Sequence, residues 1–471
     1  MKGLDGMSIP RGIAAALAVI AALSVCSAGA SAAAPSVKSL ASGESVLADG
    51  LTVAVRRATL SPTAALEVWI VAPSDGYGES KPGIARLTAL SIIATRVGSQ
   101  SLRDIVRADG GQLMVSVFPS STEIAILAPA NVADQLADAL TARVLHPTID
   151  TPGLREAKLR LAEQQAVATS AADVLLRDGI FGQLFATGPF HASTYGVSDT
   201  LRALTETDVD SYAGQAYVPA NEIVVAVGGD LDEAALTKRI ADAAPNPAAT
   251  TAMPASQRGT ATQAPVPSGF ADEPGVGLGW IGPSVADERT STAMDFLSDY
   301  LTRPDYGLVA KAIQSADPTA DFGGQFITLK DAGVFYMTVV GGTSSSDAVL
   351  AAVRAAMKPV LDGPLPPAEF ARALAAFRTH TLLDTQTPQQ IADNYGWYFA
   401  QGAPGYAPAV TDLNLTGDYY GQASGLTAEG VYAAAKTYLG ATPVVATVAP
   451  RPQTPTTTSM RPERVVARGE R

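Results

Sequence analysis

The sequence holds one cysteine, three histidines and fewer basic than acidic residues, and each shortage removes a class of chemistry. Cys26 precedes the small-residue sites Ala28-Gly29-Ala30 and Ala30-Ser31-Ala32, where an export signal would be cut, so the mature chain is expected to carry no disulfide and no thiol chemistry. With 33 Lys and Arg against 45 Asp and Glu, the formal charge of −12 offers phosphate backbones no complementary surface, and nucleic acid is not an expected partner. His146, His191 and His380 share no metal-ligand spacing, and a capped or surface histidine is the reading for each. No Gly-x-Ser-x-Gly elbow and no Ser-x-x-Lys supplies a nucleophile. Past the first run no segment approaches the roughly eighteen apolar residues of a membrane span, and coiled-coil and collagen periods are missing.

What remains is a chain of 471 residues, 47% apolar and 17% charged, too hydrophobic for disorder and long enough for two domains. Lys2 and Arg11 precede the apolar run Gly12 to Val25, the pattern of a signal peptide over residues 1–32, with the mature chain starting between Ser31 and Pro35. The product is expected in a periplasm or outside the cell.

Two similar halves follow. Leu51 to Val55 and Ala65 to Val71 read as strands. Ile84 to Val97 reads as a helix stopped by Gly98, and Leu102 to Ala108 as a second helix ending at Asp109-Gly110-Gly111. Leu113, Val115 and Val117 alternate as a strand paired with Glu123 to Ala128, ahead of helices at Asn131–Leu145 and Thr151–Ala168. Thr205 with Asp208 forms a capping box opening a helix to Tyr217, and Ile223 to Val227 closes the half. Residues 245–268, rich in Pro, Ala, Thr and Gln, read as a linker between a first domain at 45–244 and a second at 269–450. The second half repeats the order: a strand at Gly277–Ile281, a helix starting over Ala293–Leu301, a strand at Val334–Val340, helices at Ala348–Leu361, Pro367–Leu382 and Thr427–Leu439, and a strand at Val444–Val448. Phe322-Gly-Gly-Gln-Phe326 echoes Asp109-Gly-Gly-Gln-Leu113 at an offset of 213 residues. Residues 451–471 lack large apolar side chains and read as a disordered tail.

Gly50-Leu51 and Trp69 in a first hairpin, Gly83-Ile84-Ala85 opening a helix, Gly110-Gly111, Pro189-Phe190-His191 with Tyr195-Gly196, Leu204-Thr205 with Asp208, Tyr217 with Pro219 and Asn221, and Val227-Gly228 with Asp230 come in a definite order. That series resembles the insulinase-like (pitrilysin, M16-type) zinc peptidases of the half-length bacterial and mitochondrial-processing type, over nearly the whole mature chain. The resemblance implies an α+β fold of two homologous insulinase-like (LuxS/MPP-like) domains. Each would be a mostly antiparallel sheet covered by helices, and the halves would face each other across a hollow. It also implies pairing of two chains into a clamshell that captures extended peptides by strand addition.

The chemistry departs from that family. Its inverted H-x-x-E-H motif, two imidazole ligands and a glutamate base, falls on Arg86-Leu87-Thr88-Ala89-Leu90. Arg86 and Leu90 offer no lone pair to zinc, and Ala89 is no base. By resemblance Glu163 stands at the third-ligand position, with Glu156 two turns earlier; a solvated helix face or a partner for Arg86 is preferred to a metal role. The family's arginine and tyrosine for the substrate carbonyl align with Gln314 and Phe322. Tyr395, Trp397, Tyr398 and Phe399 form an aromatic cluster on a helix, either core or an interface anchor.

The expected function is an exported pseudopeptidase, the non-catalytic partner of a zinc-bearing insulinase-like subunit or of a second copy of itself, which helps bind and enclose peptides. No cofactor is expected. The alternatives are a stand-alone peptide-binding or scaffold protein and an active metalloendopeptidase with atypical zinc ligands, the one case that would need zinc.

Overall fold

The computed structural model describes residues 43–46, 50–58, 61–229, 231–244, 248–259, 265–403 and 419–452. The signal segment with Cys26, the tail past residue 452 and Asp230 lie outside the described residues.

In chain order the first half runs through β1 Gly43–Val46, β2 Thr52–Arg57, β3 Thr63–Ile70, α1 Ile84–Ala94, a ribbon of β4 Arg96–Val97 and β5 Gln100–Ser101, α2 Leu102–Ala108, β6 Gln112–Phe118 and β7 Ser121–Pro129. It continues with α3 Ala133–Val144, α4 Thr151–Ala168, α5 Ala172–Leu184, β8 Phe185–Thr187, α6 Ser198–Ala203, α7 Glu206–Ala216, β9 Glu222–Gly228 and α8 Glu233–Ala243. The second half holds β10 Gln257–Arg258, β11 Val266–Ala271, β12 Gly275–Ile281, α9 Glu288–Thr302, α10 Leu308–Ala316, β13 Ala320–Ile327 and β14 Val334–Gly341. After these come α11 Ser346–Leu361, α12 Pro367–Leu383, α13 Pro388–Ala400, α14 Tyr419–Ser424, α15 Ala428–Ala434 and β15 Val444–Pro450.

Both halves build a sheet of one design. The first has the order β1-β2-β9-β3-β7-β6 and the second β11-β15-β12-β14-β13. Each contains one parallel pair, β2 with β9 and β11 with β15, and is otherwise antiparallel. The α+β class expected from the sequence is the class observed.

Period-two alternation gives every central strand two faces with different partners. In the first sheet Val53, Val55, Leu66, Val68, Ile124 and Ile126 meet α1, α2, α3, α4, α7 and α8 in one apolar cluster. In the second, Val276, Leu278, Phe335 and Met337 meet α9 to α12, α14 and α15 in another. The opposite faces are covered reciprocally. Helix α13 of the second half lies on β3 and β9 of the first sheet, and α5 of the first half lies on β11, β12, β14 and β15 of the second. A third cluster runs through this exchange, including Ala65, Trp69 and Val225 with Ile391 and Tyr395, and Leu176 and Ile180 with Val444 and Ala446.

The expectation of a hollow between the halves is therefore corrected: these faces are packed together, because a sheet apolar on both sides must bury both. The aromatic cluster on α13 is core. Trp69 stacks on Phe118 at 5.6 Å, Trp397 meets Phe118 edge-on at 5.0 Å, and Trp397 Nε1 donates to the Thr328 carbonyl at 3.1 Å.

Further expectations change. Gly50-Leu51 and Trp69 do not belong to a hairpin, since β9 inserts between β2 and β3 and pairs with both. Helix α1 stops at Ala94, not Val97: Thr95 turns extended, and Arg96–Val97 pairs around Gly98 (φ +68°) with Gln100–Ser101, where Ser101 caps α2 through a box with Asp104. The glycine echo is not an equivalence of position. Gly110 and Gly111 turn the chain ahead of β6, whereas Gly323 and Gly324 lie inside β13, paired with Thr338 and Met337. The segment read as a linker supplies edge pairing, with β10 on β8 and the start of β11 on β15.

The alternating glycines of Gly275-Val-Gly-Leu-Gly-Trp-Ile281 make the exchange possible. Their missing side chains leave a shallow track for Leu176 and Ile180 of α5; a Cβ on Gly279 would lie 2.2 Å from Ile180 Cγ2. Gly396 does the same on α13, where a Cβ would fall 1.9 Å from Trp69 Nε1. Gly279→Val should therefore lower unfolding free energy by about 1–3 kcal/mol or more through overpacking. Gly214→Ala, on α7 with no atom within 4 Å of the added carbon, should raise it by about 0.4–1 kcal/mol. Urea denaturation of the two variants checks both signs.

Candidate functional site

Helix α1 begins at Gly83, whose φ of +92° suits glycine and whose Cβ would strike Leu201 at 2.7 Å. Every α1 residue is buried, the helix lying between the first sheet and α4, so side chains at its motif positions have no solvent to face. Ala89 and Leu90 lie in the first apolar core at 0% and 2% exposure.

Arg86 takes a different course. Its Nε donates to the Thr194 carbonyl at 3.3 Å, and its guanidinium carbon sits 4.1 Å from the centre of the Tyr195 ring. A planar, delocalised cation over an aromatic face tolerates burial better than an ammonium would. Burial first, with repulsion from Arg177, nevertheless pulls the guanidinium down to about 10, against the opposing influence of Tyr195 and Asp178. At neutral pH it is a buried cation, itself hostile to a second positive ion.

Both residues of the third-ligand region are on the exposed side of α4. Glu156 pairs with Arg103 and Glu163 is exposed. The four positions that the resemblance assigns hold one guanidinium, two apolar side chains and one solvated carboxylate on the outer side of α4, a donor set that does not fit zinc.

In the second half, Gln314 is exposed near the end of α10 and Phe322 is half-buried on β13, against the second core. The histidines are dispersed among structural contacts. His146 Nε2 lies 2.6 Å from the Ala243 carbonyl, and His191 Nδ1 lies 2.8 Å from that of Phe185. His380 on α12 is 3.1 Å from Asp299, stacks on Tyr306 and bonds its hydroxyl, while Arg303 joins Asp299 to Asp384.

Sequence reasoning missed one group, Glu67, Glu123 and Asp393, whose carboxylate oxygens lie within 4.8 Å of one another where α13 meets the first sheet. The available signal was Glu67 itself, alternating with Ala65 and Trp69 in a strand whose other face is fully apolar.

Comparison with known proteins places the fold. Residues 203–377 match the model of the peptidase M16 inactive domain. Among solved structures, a protease from Helicobacter pylori aligns with a TM-score of 0.74 at 17% identity, covering 87% of this chain and all of that one. A peptidase M16 inactive domain from Pseudomonas fluorescens aligns with a TM-score of 0.73 at 17% identity over 88% of this chain and 99% of its own. A chain of complex III2 from Candida albicans reaches 0.70 at 13% identity, over 86% and 95%. A comparison with curated proteins finds no match. The chain shares its fold with these M16-type structures, and residues 203–377 match the family model of the inactive domain.

The donor set yields a test independent of activity. The purified chain should retain far less than one zinc per molecule by elemental analysis. Writing the motif back as Arg86→His, Ala89→Glu and Leu90→His should cost several kcal/mol of stability, since an unsatisfied polar group in such a core costs about 1–3 kcal/mol. Thermal unfolding with and without zinc reads that cost and any recovery.

Proposed function

We propose that the protein is an exported, non-catalytic insulinase-like subunit that holds extended peptides for a zinc-bearing relative and closes its chamber. The observation that carries the reading is the contrast on one scaffold: the metal-ligand positions of α1 are occupied by Arg86, Ala89 and Leu90, while both sheets keep their shape and an accessible edge. Strands β6 and β13 are the edges on matching sides of the two sheets, each paired on one side only among the described residues and each largely half-exposed. Strand addition draws affinity from backbone groups, which outlast the loss of catalytic side chains. The neighbour from Candida albicans belongs to a multi-subunit complex, which favours partnership over solitary action. No helix among the described residues is long and apolar enough to cross a membrane.

Peptide hydrolysis by a zinc-bearing insulinase-like relative, by this chain and by their mixture tests the reading. This chain alone should be inactive. The mixture should exceed the relative alone by on the order of tenfold in kcat/KM, the effect of about 1.4 kcal/mol of added transition-state binding. A proline placed at Val115 in β6 should remove the gain if the peptide pairs there, since proline deletes a ladder donor. Unchanged hydrolysis together with no complex by light scattering at micromolar concentration refutes the partnership.

A further inference from the structure

Glu67 on β3, Glu123 on β7 and Asp393 on α13 converge from the two halves onto one point. Glu67 is fully buried and Glu123 is 7% exposed. The neighbouring surface is apolar and aromatic, with Trp69 stacked on Phe118 and Trp397 edge-on to both in the same junction. Donors are scarce. Trp69 Nε1 donates to Glu67 Oε2 at 2.7 Å, Ser116 on β6 is within hydrogen-bonding reach of Glu123, and no N–H or hydroxyl of the described residues reaches Glu67 Oε1.

Among the described side chains the other charged group on this face is Arg56 of β2, whose guanidinium carbon lies 5.4 Å from the centre of the Tyr395 ring. β9 presents only Ile223, Val225 and Val227 to α13, and Glu222 at its start points to the opposite core beside Tyr217. Three carboxylates in so dry a place cannot all be charged without a counter-ion or shared protons. Asp393 stands at hydrogen-bond reach of both glutamates. Two carboxyl groups at that reach can share a proton, and the three ligand atoms of this cluster fall short of the roughly six to eight oxygens that calcium takes.

The geometry points to a proton-operated clasp: Glu67, Glu123 and Asp393 share protons to fasten α13 of the second half onto the first sheet, and losing those protons releases it. This goes beyond the peptide-holding role and stands or falls separately from it. Burial is the main cause, and neighbouring charge the second, of a Glu67 carboxyl held well above the usual range and a Glu123 carboxyl pushed up to about 8. Burial raises Asp393 as well, opposed by its hydrogen bonds to the two glutamates. The closed form thus binds more protons than the open one, so closure is strongest at acid pH and weakens as pH rises from the ordinary carboxylate range through about 8.

The test is amide hydrogen exchange of α13 in the full chain from pH 5 to 9, corrected for intrinsic rates, with tryptophan fluorescence alongside, since Trp69 and Trp397 flank the clasp. The opening constant of α13 should climb with pH, by up to about tenfold per unit for each proton released. The Glu67→Gln/Glu123→Gln double variant should keep α13 protected at pH 9; if it does not fold, Asp393→Asn is read instead and should flatten the climb. A pH-independent opening constant overturns the proposal, and so does a climb unchanged in the variant that folds. Stoichiometric binding of Ca2+ or Mn2+ that restores protection at pH 9 and is lost in Glu67→Gln also overturns it, in favour of a cation site.

Discussion

The structure depends on a mutual debt between two sheets. Each has an apolar face that its own half leaves uncovered, and each is covered by one helix of the other half, α13 on the first and α5 on the second. The two helices begin at matching points after α12 and α4, and each requires a close approach made by glycine: Gly275, Gly277 and Gly279 under α5, and Gly396 on α13 against Trp69. Neither half could expose such a face to water without losing roughly 25 cal/mol for every Å² of apolar area left open. The halves are therefore one cooperative body, and a crossing chain that pairs β10 with β8 and β11 with β15 adds edge hydrogen bonds to that body.

This packing leaves only the margins of the two sheets open, which is why the proposed peptide contact is assigned to edge strands. With both faces of each sheet covered, an extended peptide has only edges to join, and β6 and β13 occupy matching edges at the β7 and β14 sides. Helix α1 lies on the far face of the first sheet from α13, so the substituted motif and the acid cluster are separated by the sheet itself. Changes at one need not propagate to the other. The residues present on α1 are compatible with a fully formed junction between the halves.

Much of this organisation was legible because it is periodic. Strands β6 and β12 alternate, β7 and β14 are short apolar runs, helices α11 and α12 carry regular apolar spacing, and the Thr205–Asp208 capping box forms as its spacing requires. The placing of Arg86, Ala89 and Leu90 against a zinc motif came from the family resemblance, and side-chain chemistry added only that none of the three is a metal ligand. What was not legible depends on contacts between distant segments. Nothing local in Leu51–Val55 or Ala65–Val71 says that β9 will separate them, and a glycine pair reads the same whether it makes the turn before β6 or lies within β13. The acid cluster needed three residues more than 50 positions apart in sequence, and only Glu67, in a strand buried on both faces, hinted at it.

The fate of α1 follows from where it lies. A helix buried along its whole length can carry two imidazoles and a carboxylate only if hydrogen bonds, ion pairs or a metal ion satisfy them, because each uncompensated polar group there costs about 1–3 kcal/mol. Ala89 and Leu90 remove that cost outright by joining the apolar core. Arg86 is the exception and shows how the remaining charge is managed: its stem is buried, its Nε finds the Thr194 carbonyl, and its charged end lies over Tyr195. A guanidinium so placed occupies the first ligand position with a positive charge of its own. Helix α1 thus buries no polar side chain except Arg86 and the hydroxyls of Thr88 and Ser91.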